Sequence, residues 1–202
     1  MKAVAVFDVG KTNVKLSASD ADGRLLETLS TPNPSHSGPP YRHHDVLALE
    51  AWLLSGLSAL GKRHDIDAIV TCAHGSGGIL VDDHGPAMPM IDYEQEPPAA
   101  VDAEYRRVAG SFRERGSPVM LGAAHLARQM LWLEQDWPDE FAKARHFLAT
   151  PQYWAWRLSG VAASEVTSLA AQWIATVAGS MRYDTLVEDD SAPTCAETLP
   201  LP

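Results

Sequence analysis

Ala3–Phe7 is wholly apolar and gives way to Asp8, the pattern of a strand buried on both faces. After Gly10, Lys11, Thr12 and Asn13 the alternation resumes, which predicts a second strand over Val14–Ala18. Past the Asp20-Ala21-Asp22-Gly23 turn a third strand is predicted over Arg24–Thr28. Thr31–Arg42 is a polar loop rich in Pro, Ser, Gly and His. Leu47, Leu49, Leu53, Leu54, Leu57 and Leu60 then recur at helical spacing, predicting a helix over Val46–Lys62 with Asp45 as its N-cap. Ala68–Cys72 reads as a buried strand, Ala73–Gly78 as a turn-rich segment and Ile79–Val81 as a short strand. The Asp82-Asp83-His84-Gly85 turn leads from there to Met88–Tyr93.

The second half is helical in pattern. Helices are predicted over Ala103–Phe112 and, past a turn at Gly116-Ser117-Pro118, over Leu121–Glu134. The latter carries Leu121, His125, Met130, Leu131 and Leu133 as its apolar stripe. Asp139–Ala144 reads as a turn of helix, His146–Ala149 as strand or helix, and Pro151–Ser159 as a Trp-rich helix stopped by Gly160. Strands first, then helix–strand alternation, then helices make an α/β layered pattern. From about Ala178 the character changes. Val187–Pro202 holds Glu188-Asp189-Asp190, scattered Pro and no apolar period, so 178–202 is expected to be a disordered tail on a domain spanning 1–177.

Composition narrows the function classes. A chain of 202 residues makes one large domain or two small ones, and a net charge of -10 argues against nucleic acid as a partner. Cys72 and Cys195 form no disulfide framework and no zinc spacing. No apolar run is long enough for a bilayer and no signal-peptide pattern opens the chain, so no membrane partner and a cytoplasmic location are expected. His36, His43, His44 and Asp45 have metal-ligand side chains, but a solvated loop running into a helix cap accounts for the same spacing. Trp132, Trp154 and Trp156 read as core.

The first turn carries the chemistry. A strand that ends in a carboxylate and a glycine turn presents Asp8 at the sheet's edge, where the turn adds backbone N–H groups, the Thr12 hydroxyl and the Lys11 ammonium. That set suits phosphate oxygens and a metal ion. Gly10-Lys11-Thr12 is also the tail of a Walker A loop, but that motif needs a glycine where Ala5 stands and a helix where Asn13–Ala18 alternates as a strand. Strand–turn–strand with Asp8-x-Gly10 instead resembles the first phosphate motif of the actin-like ATPase superfamily.

Cys72–Asp83, CAHGSGGILVDD, extends that resemblance to the N-terminal half of the FGGY carbohydrate kinases, of the xylulose, rhamnulose and fuculose kinase type. Ala73-His74-Gly75 stands for the family's Met-His-Gly loop, Ile79–Asp82 for its strand, and Met90-Ile91-Asp92 for its Trp-x-Asp segment. Trp132–Pro138, Phe147–Gly160 and Glu165-Val166-Thr167-Ser168 continue the order, over about residues 3–173. The resemblance implies an actin-like (ribonuclease H-like) α/β lobe with a mixed sheet and flanking helices. It further implies ATP and Mg²⁺ as cofactors and a small-molecule sugar, a ketose or polyol, as substrate. Asp8 would help hold Mg²⁺, and Gly10, Lys11, Thr12, Asn13 and Lys15 would face the phosphates. His74, Gly75 and Asp92 would contact sugar hydroxyls.

The departures are specific. No GxHD- or GDQ-like segment supplies the family's catalytic Asp, so no catalytic base is expected in this chain. The ATP lobe is missing, which implies a homodimer or a second chain as partner for turnover, or else a non-catalytic sugar-binding or interaction module. Ala73 and Ile91 replace the family's usual residues beside the sugar.

Overall fold

The computed structural model describes residues 2–112, 118–165, 168 and 195–197. It divides into two compact units, Met1–His74 and Gly75–Pro202. Among the described residues no helix is long and apolar enough to cross a membrane.

The first unit is a four-stranded mixed sheet built from β1 (Lys2–Val9), β2 (Asn13–Ser19), β3 (Leu25–Pro32) and β6 (Asp65–Ala73), in the order β3-β2-β1-β6. The three opening strands pair antiparallel, and β6 joins β1 in parallel. Two further short strands, β4 (Ser35–His36) and β5 (His43–His44), form a hairpin inside the stretch expected to be loop. The helix α1 (Val46–Gly61) starts where its cap requires, since the Ala48 N–H donates to Asp45 Oδ1 at 2.9 Å. Leu49, Leu53 and Leu60 turn inward from α1, whereas Leu47 and Leu54 face solvent. At Gly56 the helix lies so close that an added Cβ would stand 2.8 Å from Leu16 Cδ2. Phe7 and Trp52 meet on the same side, with ring centroids 6.4 Å apart.

Two sequence expectations need correction in this unit. In β1 only one face is fully buried: Ala3, Ala5, Phe7 and Val9 are enclosed, Val4 and Val6 are half-buried and Asp8 is exposed. The alternation is that of a sheet with one covered face. Ala68–Cys72, expected to be buried, lies in an edge strand, and Ile69 and Val70 are 42% and 51% exposed. With β1 on one side of β6 and no described strand on the other, its apolar residues lack a second neighbour.

Glu27 on β3 ties the sheet to the end of α1. Arg63 grips both its carboxylate oxygens, Nη2 to Oε1 at 2.7 Å and Nε to Oε2 at 3.0 Å, and His64 Nε2 lies 2.9 Å from Oε2. Hydrogen bonds from Arg63 and then His64 lower the Glu27 carboxyl from 4.5 to about 2. A depressed folded-state pKa adds stability that is full above the unfolded value and is lost as pH falls through the folded one. The stability difference between wild type and Glu27→Gln, read by urea unfolding, is therefore expected to be greatest at neutral pH. It should shrink between pH 4.5 and about 2. A difference independent of pH would show that this carboxylate is not coupled to folding.

The second unit contains β7 (Gly78–Val81), β8 (Met90–Ile91), α2 (Ala99–Val108), α3 (Leu126–Asp136), α4 (Pro138–Lys143), β9 (His146–Ala149) and α5 (Thr150–Ser159). β7 and β9 pair antiparallel, which settles His146–Ala149 as a strand. The Trp-rich helix ends at Gly160, whose φ of 75° is the left-handed conformation that glycine adopts freely. α3 starts five residues later than its apolar stripe predicts. Leu121 is 88% exposed, and Gly122 at φ 54° turns the chain before the helix begins. Its core includes Tyr105, Ala109, Ala127 and Leu131, where α2 meets α3. β10 (Ala163–Glu165) pairs antiparallel with β11 (Cys195–Glu197). The Gly116-Ser117 part of the expected turn, Val166-Thr167 and Glu188–Asp190 lie outside the described residues.

Candidate functional site

In the first unit the β1–β2 turn gathers most of the residues singled out from the sequence. Asp8 sits directly across from Lys15 in the β1–β2 register, and Val9 across from Val14 closes the turn that holds Gly10, Lys11, Thr12 and Asn13. Asp8, Thr12, Asn13 and Lys15 are exposed. Gly10 is required by close approach, because a Cβ there would stand 2.7 Å from the Asn13 carbonyl oxygen. Asn13 Nδ2 lies 3.4 Å from Thr12 Oγ1, so the two polar tips occupy one corner of the turn.

Two residues not anticipated from sequence hold this corner. Asn33, buried just after β3, donates from Nδ2 to the Gly10 carbonyl at 3.0 Å and from its backbone N–H to the Thr12 carbonyl at 2.9 Å. Cys72 lies beside Asp8 on the neighbouring strand, its Sγ donating to Asp8 Oδ1 at 3.6 Å. Burial, the Asp8 charge and this hydrogen bond push the thiol pKa up, so Cys72 stays a neutral donor. His74 is drawn to the same end of β1, its backbone N–H donating to the Val9 carbonyl at 3.1 Å.

Gly75 and Asp92 belong to the second unit. Gly75 is exposed with open space where a Cβ would point, and it begins a glycine-rich loop running into β7. The Gly77 carbonyl of that loop accepts from Thr150, from Oγ1 at 2.8 Å and from N–H at 3.0 Å. Asp92 is 1% exposed and serves its own turn, with Oδ1 accepting from the Glu94 N–H at 3.1 Å. Its carbonyl accepts from both the Gln95 backbone N–H and Nε2 at 3.1 Å. Asp92, expected to accept from sugar hydroxyls, is thus buried with one carboxylate oxygen engaged in its own turn. An open groove of about 630 Å³ adjoins the turn, lined by Tyr93, Glu94, Glu96, Val119, Met120 and Leu121 among others.

His36 and His43 stack across the β4–β5 hairpin with centroids 5.6 Å apart, while Asp45 is engaged in capping α1. Among the described residues no group of three or more metal-ligating side chains comes together. A single exposed carboxylate such as Asp8 still fits Mg²⁺, which keeps several waters and takes one or two carboxylates. The Lys11 ammonium, the Thr12 hydroxyl and the Asn13 amide on the same turn are donors of the kind that phosphate oxygens accept from.

No curated protein matches the chain. A carbohydrate kinase from Novosphingobium aromaticivorans is 39% identical with a TM-score of 0.79, the match covering 85% of this chain and 37% of that one. A ligand-bound xylulose kinase from Lactobacillus acidophilus shares the fold at 21% identity and TM-score 0.73, covering 94% of this chain and 39% of its own. Plasmodium falciparum glycerol kinase with ADP does so at 14% identity and TM-score 0.68, covering 94% and 40%. The chain thus spans well under half the length of these kinases, and its fold is that of an actin-like ATPase lobe. The model of the FGGY family of carbohydrate kinases, N-terminal domain, matches residues 3–185, and the chain belongs to that family.

Proposed function

We propose that this chain is the sugar-binding lobe of an ATP-dependent kinase that phosphorylates a hydroxyl of a ketose or similar polyol. The observation that carries the reading is the exposed Asp8–Lys15 pair at the end of β1, flanked by the Gly10–Asn13 turn. Phosphoryl transfer asks mainly for positioning and charge neutralisation. Bound Mg²⁺ would neutralise phosphate oxygens of ATP, with Asp8 as its carboxylate. Lys11, Thr12, Asn13 and Lys15 would hold the phosphoryl group by charge and hydrogen bonding. His74 and Gly75 would take sugar hydroxyls, and Asp92 would shape the sugar side through its turn rather than as an open carboxylate. The sugar oxygen bonds to the γ-phosphorus as the bond to the β-bridging oxygen breaks. The hydroxyl proton would go to a base outside these residues, on the ATP-binding lobe, as ADP leaves.

The alternative is a non-catalytic sugar-binding or interaction module. ATP consumption across a panel of ketoses and polyols, alongside calorimetric sugar binding, separates the two. Sugar binding is expected, weakened about 10-fold or more by His74→Ala through loss of at least one hydrogen bond. Turnover should appear only when an ATP-binding lobe is added. Turnover by the chain alone would overturn the dependence on a second lobe, and binding untouched by His74→Ala would remove His74 from the site.

A further inference from the structure

We infer that Gln129 is a positioning residue that sets the spacing between the Gly75–Gly78 loop and the Asp92 turn, and thereby tunes which sugar is preferred. The inference rests on the sugar-binding reading of those two segments. Gln129 is fully buried on α3. Its Nε2 donates to the Ser76 carbonyl at 2.6 Å and to the Ala123 carbonyl at 2.6 Å, and its Oε1 accepts from the Gly78 N–H at 3.2 Å. Both amide protons and one acceptor position are thereby engaged with backbone from two segments far apart in sequence.

The link continues through Ala123. Its N–H donates to the carbonyls of Tyr93 at 3.0 Å and Gln95 at 2.9 Å, inside the turn that Asp92 caps. Gly122 allows this approach, since a Cβ there would stand 3.0 Å from each of the same two carbonyls. The neighbouring Arg128, also buried, donates to the Gly122 carbonyl and, at 2.9 Å, to the Met120 carbonyl. Residues 120–123 are therefore held from α3 by two consecutive side chains, and only Gln129 among them also reaches the glycine loop. A buried amide serving three backbone groups costs the desolvation of each group if removed. Its loss should release both segments together.

The test uses Gln129→Met, which keeps side-chain length and removes all three hydrogen bonds. Thr150→Val removes the Oγ1 hydrogen bond to the Gly77 carbonyl, with its longer 3.7 Å contact to Met90 Sδ, and Leu133→Val trims the core one turn along α3. Amide hydrogen exchange is read over 76–78 and 92–95, with calorimetric affinities for two sugars differing in one hydroxyl configuration. In Gln129→Met both segments are expected to exchange roughly 10-fold faster, and the ratio of the two affinities to shift by about as much. Thr150→Val should speed 76–78 only, and Leu133→Val should change neither the pattern nor the ratio. Gln129→Glu, which keeps the shape and the acceptor for the Gly78 N–H but sets an oxygen against the Ser76 and Ala123 carbonyls, should also loosen both segments and serves if the methionine variant does not fold. Unchanged exchange over 92–95, or an unchanged ratio with both segments loosened, would overturn the inference. Coupled exchange in a wild-type chain that binds no sugar would instead locate the failure in the sugar-binding reading.

Discussion

Asp8→Asn is expected to lower sugar phosphorylation by roughly 10²- to 10³-fold while leaving sugar affinity and unfolding close to wild type. The carboxylate is exposed at the end of β1, where it accepts the 3.6 Å contact from the Cys72 thiol. Removing one negative charge there costs the fold little. It would nevertheless remove the carboxylate proposed to organise Mg²⁺, which stands opposite Lys15. The assay pairs the chain with an ATP-binding lobe and compares initial rates at saturating and limiting Mg²⁺. A partial recovery at high Mg²⁺ would fit a weakened metal site. An unchanged rate would sink the role assigned to Asp8.

Gly78→Val should be the most damaging single change to the second unit's stability, by about 3 kcal/mol. A Cβ at Gly78 would stand 2.2 Å from Phe147 Cζ and 2.5 Å from Cε1, inside a pair of antiparallel strands where both residues are buried. The Phe147 ring is buried, so relief requires it to leave its packing or β7 and β9 to part. Urea unfolding of Gly78→Val, Phe147→Leu and the double variant would measure this as a coupling energy. The double variant should recover much of the loss, because the smaller side chain makes room for the larger one. Strictly additive losses would mean that the contact is not what forbids a side chain at position 78. The same glycine gives its N–H to Gln129, so the variant should also disturb the loop that begins at Gly75.

Much of this molecule is legible locally. The strand–turn–strand around Asp8, the Asp45 cap and the Gly160 stop each depend on a few adjacent residues whose conformations are set by short-range sterics and hydrogen bonding. For that reason Asp8, Gly10 and Lys15 are recognisable as one corner from their spacing, and the order of weak motifs is enough to point to the family.

What escapes a sequence reading is everything decided by neighbours distant along the chain. An apolar run such as Ala68–Cys72 looks the same whether its strand lies inside a sheet or at the edge, since exposure depends on strands elsewhere. The apolar period places the start of α3 too early because Leu121 fits the helical spacing while Gly122 turns away to approach the carbonyls of Tyr93 and Gln95. The family resemblance points to Asp92 as a sugar contact, and its burial becomes visible only once its turn is packed. Asn33 and Gln129 leave no trace, because their partners are backbone carbonyls and amides, which every residue carries. Local chemistry in the sequence determined the Asp8–Lys15 corner and the family, and tertiary packing alone decided which buried amides hold the loops.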